Sequence, residues 1–276
     1  MTVIWAWADL GNHSLQNFNI RQYLLIASVL SVKKFNPEWK RVFVVDNITY
    51  EFIKTKGWID LWDEIKITNF HNTEYGNLYN INIYSWPKIY SYGVINDDDI
   101  LILDIDIVFL KKFEIPDKTK VCGHFYDFNH YIKQSLDKKA LTIRNLWIYA
   151  DECQKYLEYI GYNEYIFKQD SICLTGAPVY IPKGLGKYIS NELINHIINI
   201  EKIHNNEFKY NLSKVFYAIE EEYPLAKISK ACKGICCFDK SMYKHSYINN
   251  ACFSITSGLK KAEELLGIQI YEKYIK

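Results

Sequence analysis

Ile100-Leu101-Ile102-Leu103-Asp104-Ile105-Asp106-Ile107-Val108-Phe109-Leu110 is the most hydrophobic stretch of the chain, and two carboxylates interrupt it. Read as one strand, it sends successive side chains to opposite faces, so Asp104 and Asp106 point the same way and Ile105 points into the core. Two like charges on one apolar face repel each other and are costly to desolvate. A divalent cation removes both penalties, and hard oxygen ligands suit Mn²⁺ or Mg²⁺. Such a cation can neutralise a diphosphate and stabilise it as a leaving group. The bland reading is a strand-end pair capped by Lys, Arg or backbone N–H groups. The triplet Asp97-Asp98-Asp99, just upstream, reads instead as a solvated charge run in a turn.

Working outward toward the N-terminus, the pattern alternates. Val3 to Ala8 reads as a buried strand, followed by the turn residues Asp9, Gly11 and Asn12. Leu15 to Phe35 carries helical periodicity with Leu24, Leu25, Val29 and Val32 on one side, and Asn36-Pro37 ends it. Arg41 to Val45 is a second strand, a brief helix runs on to a Gly57 stop, and Glu64 to Ile67 is a third strand. Tyr84 to Ile95 reads as a helix with Pro87 in its first turn, where no donor is needed. Strand and helix in alternation imply an α/β fold with a mostly parallel, doubly wound sheet flanked by helices. Ligands bind beyond the carboxyl ends of such strands, and Asp9, Asp46 and Asp104 each follow an apolar run there.

The second half is less regular. Lys120 to Phe125 and Ser171 to Ile181 read as strands; 145–160, 186–203 and 213–230 read as helices; short strands and loops close the chain. No repeat, low-complexity tract or linker divides the 276 residues. A single unit over 1–276 is expected, with 1–112 and 113–276 as two halves sharing the sheet.

Composition narrows the class. With 33 basic and 32 acidic residues there is no electrostatic footprint for nucleic acid. The 16% aromatic share suits stacking on bases and sugars, although an AT-rich genome would enrich Tyr, Asn, Ile and Lys equally. Seven cysteines without metal-ligand spacing read as reduced thiols of a cytoplasmic protein. The first residues lack the basic segment of a secretory signal, and the apolar run Tyr23 to Val32 is too short to span a bilayer. Membrane contact is therefore expected to be peripheral at most.

The stretch Trp86-Pro87-Lys88-Ile89-Tyr90 together with Ile100 to Phe109 resembles the GT-A class of nucleotide-sugar glycosyltransferases. Those enzymes pair a Lys- or Arg-bearing helix with a hydrophobic strand ending in a DxD motif. Val42-Phe43-Val44-Val45-Asp46 and the helix before it are similar to the class's first βαβ unit, so the resemblance is good over about residues 1–115 and weaker beyond. It implies that Asp106 ligates the metal, that Asp104 contacts the ribose or shares the metal, and that Lys88 faces the diphosphate or the sugar. Trp7 and Asp9 would lie near the nucleobase.

In the second half, Gln169-Asp170-Ser171 resembles the place where this class contacts acceptor or donor sugar, which makes Asp170 a candidate sugar contact or catalytic base. Phe216 to Tyr223 is similar to a helix near the acceptor pocket. Three glutamates in a row fan around a helix, so at most one faces inward, and Glu221 or Glu222 is the candidate. Many GT-A enzymes add a late His ligand. His245 in Tyr243-Lys244-His245-Ser246 would fill that role, with Lys244 as a diphosphate partner, although the glycines and lysine of the family motif are absent.

The expected reaction moves a hexose from a nucleoside-diphosphate donor, UDP-hexose favoured, to a hydroxyl of a glycan or lipid-linked acceptor. Surface glycan or polysaccharide synthesis is the expected setting. Two rivals remain: a metal-dependent nucleotidyltransferase, and a catalytically silent glycan- or protein-binding module on the same fold. The first wants a Gly-rich basic phosphate loop that Gly11 alone does not supply, and the intact Asp104/Asp106 pair weighs against the second. GxGxxG, GxxxxGK[ST] and GxSxG signatures are absent.

Overall fold

The computed structural model describes residues 1–9, 15–17, 19–70, 86–127, 172–174, 177–201, 221–245 and 255–276. Asp170 and the expected helix over 145–160 lie outside them, as do the first residues of the 213–230 helix.

The N-terminal alternation forms as read. Strand β1 (Thr2–Trp7) leads through a short 3-10 turn to helix α1 (Asn19–Phe35), then β2 (Lys40–Val45), α2 (Asn47–Thr55) and β3 (Glu64–Ile67). Asp46 caps α2 by accepting a hydrogen bond from the Thr49 amide at 2.8 Å, and Gly57 takes the left-handed conformation just past its end. Helix α1 is not the one-sided helix its periodicity suggests: every residue from Gln22 to Val32 is buried. It is covered on several sides, packing on the sheet and on C-terminal helical segments, so its polar residues need partners inside. Ser28 supplies one, accepting from the Trp5 indole at 2.9 Å.

Helix α3 (Trp86–Ser91) is followed by β4 (Ile100–Ile102) and β5 (Ile107–Phe109). The run 100–110 is therefore not one strand. Leu103 leaves β4, Ile105 and Asp106 form a turn, and the Ile107 amide donates to the Asp104 carbonyl at 3.2 Å. Strand β5 belongs to a different sheet. Its Phe109 amide is held by the Ser31 hydroxyl of α1 at 3.0 Å, and Asn36 exchanges two hydrogen bonds with the Phe113 backbone. Asp104 and Asp106 come together through a turn rather than through strand alternation.

The chain continues through β6 (Val121–Gly123), β7 (Phe125–Asp127), β8 (Ile172–Leu174), β9 (Val179–Ile181), α4 (Gly186–Glu201), α5 (Tyr223–Cys232), β10 (Ile235–Cys237) and β11 (Tyr243–His245). The expected strand over 171–181 is thus two strands in two sheets. Helix α6 (Ile255–Leu266) and a π-helical turn at Tyr271–Ile275 follow, where loops and short strands were expected.

Seven strands form the main sheet in the order β10-β6-β9-β4-β1-β2-β3. All neighbours are parallel except β9, which runs antiparallel to β4 and β6. Alternation sorts the core onto two faces. Val3, Trp5, Phe43, Val45 and Leu101 meet α1 and the C-terminal segments; Ile4, Val42, Val44, Ile100 and Ile102 meet α3, α4 and α5. This is an α/β fold with a mostly parallel sheet flanked by helices. Gly186, at the start of α4, leaves no room for a Cβ, which would collide with the Tyr92 carbonyl oxygen, so α4 can press against the turn that follows α3.

Candidate functional site

Strands β1, β2 and β4 are parallel neighbours, so their carboxyl ends share one rim. Asp9 and Asp46 meet there: the Asp9 amide donates to Asp46 Oδ2 at 2.8 Å. Trp7, at the end of β1, is half-buried against the core, and the Arg21 guanidinium lies over its ring at 5.8 Å.

The acidic turn after β4 is the chemical centre of the rim. Lys88 reaches it from α3, its Nζ 3.3 Å from Asp104 Oδ1 and 3.1 Å from Glu221 Oε1. Tyr92, one turn beyond Lys88, donates its hydroxyl to the same Glu221 oxygen at 2.9 Å. The Lys88 carbonyl accepts from the Ser91 hydroxyl at 2.6 Å, and the Ile89 carbonyl accepts from Ser190 of α4 at 2.9 Å, so the short helix is fastened at both turns.

Electrostatics separate the members of this cluster. Burial alone would push the Lys88 ammonium down, but Asp104 and Glu221 outweigh it and hold it above its ordinary value, so Lys88 stays charged. Burial pushes the Tyr92 phenol well up, and Glu221 pushes it further. Glu221 is itself raised by burial, with Lys88 pulling the other way. Burial and the neighbouring Asp104 charge raise Asp106 to about 7, against the pull of Lys88. Two neighbouring carboxyl groups, one of them raised by burial, offer hard oxygen donors that would suit a divalent cation. Among the described residues, no three His, Cys, Asp or Glu side chains form a metal cage by themselves.

The structure therefore brings Lys88, Asp104, Asp106 and Glu221 together. Glu222 is half-buried beside them, and its charge acts on Lys88 and Tyr92. Backbone pairing sets His245 opposite Ile107 and Lys244 opposite Val108, directly after the acidic turn, but their side chains lie outside the described set. Trp7 ends the neighbouring strand β1 on the same rim, and Asp9 lies two residues beyond it. Tyr92 is a member that sequence reasoning missed. Its spacing of four from Lys88, which puts both on one helical face, was the available signal.

No family model matches the chain, and no curated protein matches it in sequence. Solved structures do resemble it in shape. An active-site mutant of LgtC aligns with a TM-score of 0.45 at 13% identity, covering 99% of this chain and 100% of that one. PaToxG glycosyltransferase aligns with a TM-score of 0.40 at 13% identity, covering 96% and 85%. Mouse xyloside xylosyltransferase 1, in its apo form, aligns with a TM-score of 0.38 at 9% identity, covering 86% and 84%. Likenesses at this level fix neither family nor activity. No helix of the described residues is long and apolar enough to cross a membrane.

Proposed function

We propose that the chain is a metal-dependent glycosyltransferase of GT-A architecture. It moves a hexose from a nucleoside-diphosphate sugar, UDP-hexose first among the candidates, to a hydroxyl of a glycan or lipid-linked acceptor during surface glycan or polysaccharide synthesis. The observation that carries this reading is geometric: one turn at the carboxyl end of a parallel sheet brings Asp104 and Asp106 together, with Lys88 Nζ 3.3 Å from Asp104 Oδ1. Burial and the like charge of Asp104 raise Asp106, a penalty that a divalent cation would relieve.

Asp106 and Asp104 would hold Mn²⁺ or Mg²⁺, which supplies positive charge against the departing diphosphate. His245 is the proposed third ligand, because its backbone runs beside the residue that follows Asp106. Lys88 and Lys244 face the diphosphate, and Trp7 and Asp9 the nucleobase. Asp170 and Glu222 serve the sugar and acceptor side, while Glu221 stands behind Lys88. The halves 1–112 and 113–276 act as one unit, since both contribute strands to the main sheet. Any membrane contact is peripheral, and the working compartment is the cytoplasm.

The test is a panel of sugar nucleotides with MnCl₂, scored by released nucleoside diphosphate and by thermal shift. One donor should turn over and stabilise the fold only when Mn²⁺ is present. A folded chain that neither hydrolyses nor transfers any donor, and that no donor stabilises, defeats the proposal.

A further inference from the structure

Four side chains form a file from the interior to the rim. Tyr92 is wholly buried, the Glu221 side chain is 3% exposed, Lys88 is 15% exposed and Asp104 is 41% exposed. Contacts run unbroken along it, from the Tyr92 hydroxyl to Glu221 at 2.9 Å, from Glu221 to Lys88 Nζ at 3.1 Å, and from Lys88 to Asp104 at 3.3 Å. The ammonium is thus shared between an inner carboxylate sealed from water and an outer one open to ligand.

The outer carboxylate is also half of the acidic pair assigned above to a divalent cation. Lys88 and that cation therefore compete for Asp104. If Asp104 were the only counter-charge, turning it toward a cation would strand a largely buried ammonium, a costly arrangement. Glu221 prevents this, because it stays beneath Lys88 whichever way Asp104 faces. Its own burial leaves it no other role toward solvent, and the Tyr92 hydroxyl fixes its acceptor oxygen.

We infer that Glu221 is a positioning residue that acts through Lys88: it retains the Lys88 ammonium when Asp104 turns to a divalent cation, and so lets cation and diphosphate share the rim. The inference rests on the glycosyltransferase reading and assigns Glu221 a place behind Lys88 rather than at the reacting atoms. A purely structural tie between α3 and the segment leading into α5 would need the same contacts but would leave cation binding untouched.

The experiment is calorimetric titration of the full chain with MnCl₂ alone, without donor, at about pH 8, where Asp106 has lost its proton. Glu221→Gln keeps the shape and removes the inner charge, leaving the Lys88 ammonium to lean more heavily on Asp104. Its Mn²⁺ dissociation constant should rise roughly tenfold. Combining Glu221→Gln with Lys88→Met removes the competitor as well and should return Mn²⁺ affinity to the wild-type value or better. Tyr92→Phe, a milder change, should weaken Mn²⁺ binding in the same direction by a smaller factor.

The inference is overturned by a Glu221→Gln chain that binds Mn²⁺ as the wild type does, or by a double variant no better than the single one. Should Glu221→Gln fail to fold, unchanged Mn²⁺ affinity in Tyr92→Phe overturns it equally. A wild-type chain that binds no Mn²⁺ removes the metal-dependent reading itself, and that failure appears in the reference titration before any variant is made.

Discussion

Strand β4 has aspartates at both ends, and the two groups have opposite characters. Before the strand, Asp98 accepts from the Thr2 hydroxyl at 2.7 Å and lies 3.4 Å from the Met1 amine, while Asp99 accepts from the Lys183 amide at 2.9 Å. After it, Asp104 and Asp106 share the influence of one lysine. Burial would raise Asp98, yet its hydrogen bond from Thr2 and the charge of the amine hold it below the ordinary range. Burial and a like charge lift Asp106 instead. Hydrogen-bond donors and a neighbouring cation lower a carboxyl and fasten the chain, whereas burial beside a second carboxylate raises one. The upstream triplet is therefore more than the solvated charge run its composition suggests.

Substitution at each end should separate these characters. The largest effect is expected for Asp106→Asn, which should lower sugar-nucleotide turnover by roughly a hundred- to a thousandfold without unfolding the chain, as read by nucleoside diphosphate release. Turnover within a few-fold of wild type would break the contrast at its functional end. Next, Lys88→Met should weaken donor binding roughly tenfold in an equilibrium titration with Mn²⁺ present. Unchanged donor affinity would return Lys88 to a structural role. At the other end of the strand, Asp98→Ala should cost about 1 kcal/mol in chemical denaturation and leave turnover intact. Lost turnover in a folded Asp98→Ala chain would erase the distinction altogether.

The smallest effect concerns pH, where the two ends carry opposite signs. In chelated protein, Asp106 holds its proton more tightly folded than unfolded. Its contribution to stability is complete below the ordinary carboxylate value, roughly 4, and is lost as pH rises through about 7. Asp98, lowered on folding, contributes above the ordinary value and loses that contribution as pH falls through its folded value. Melting temperature in EDTA should therefore drift down by a few degrees between about pH 5 and about pH 8, and Asp106→Asn should flatten the drift. A wild type that is already flat over that range would contradict the state assigned to Asp106.

Much of the N-terminal architecture was legible, because β1, β2, β3 and α2 announce themselves by local pattern and by end signals such as Asp46 and Gly57. Periodicity failed where one apolar run serves two sheets. Nothing in 100–110 marks the turn at Ile105 and Asp106, since the partner that claims β5 is β11, far along the chain. The same failure joined β8 to β9. Helix α1 looked one-sided from Leu24, Leu25, Val29 and Val32, yet its small polar residues Ser28 and Ser31 are buried and hydrogen-bonded as well. Within the site, Asp104 and Asp106 stood out as charges in an apolar run, and Lys88 through the resemblance to GT-A enzymes. Glu221 could be narrowed only to one of a row, because helical phase chooses among neighbours and the lysine that chooses Glu221 lies on another helix.

The pairing of β11 with β5 has a consequence for assembly. The ribbon that backs the acidic turn is completed by a segment that emerges from synthesis more than a hundred residues later. The first half of the chain can thus gather its parallel strands early while the turn still lacks its neighbour, and closure across so long a separation is entropically slow. The acidic turn should accordingly gain its backing ribbon as a late event of maturation, after the sheet has already formed.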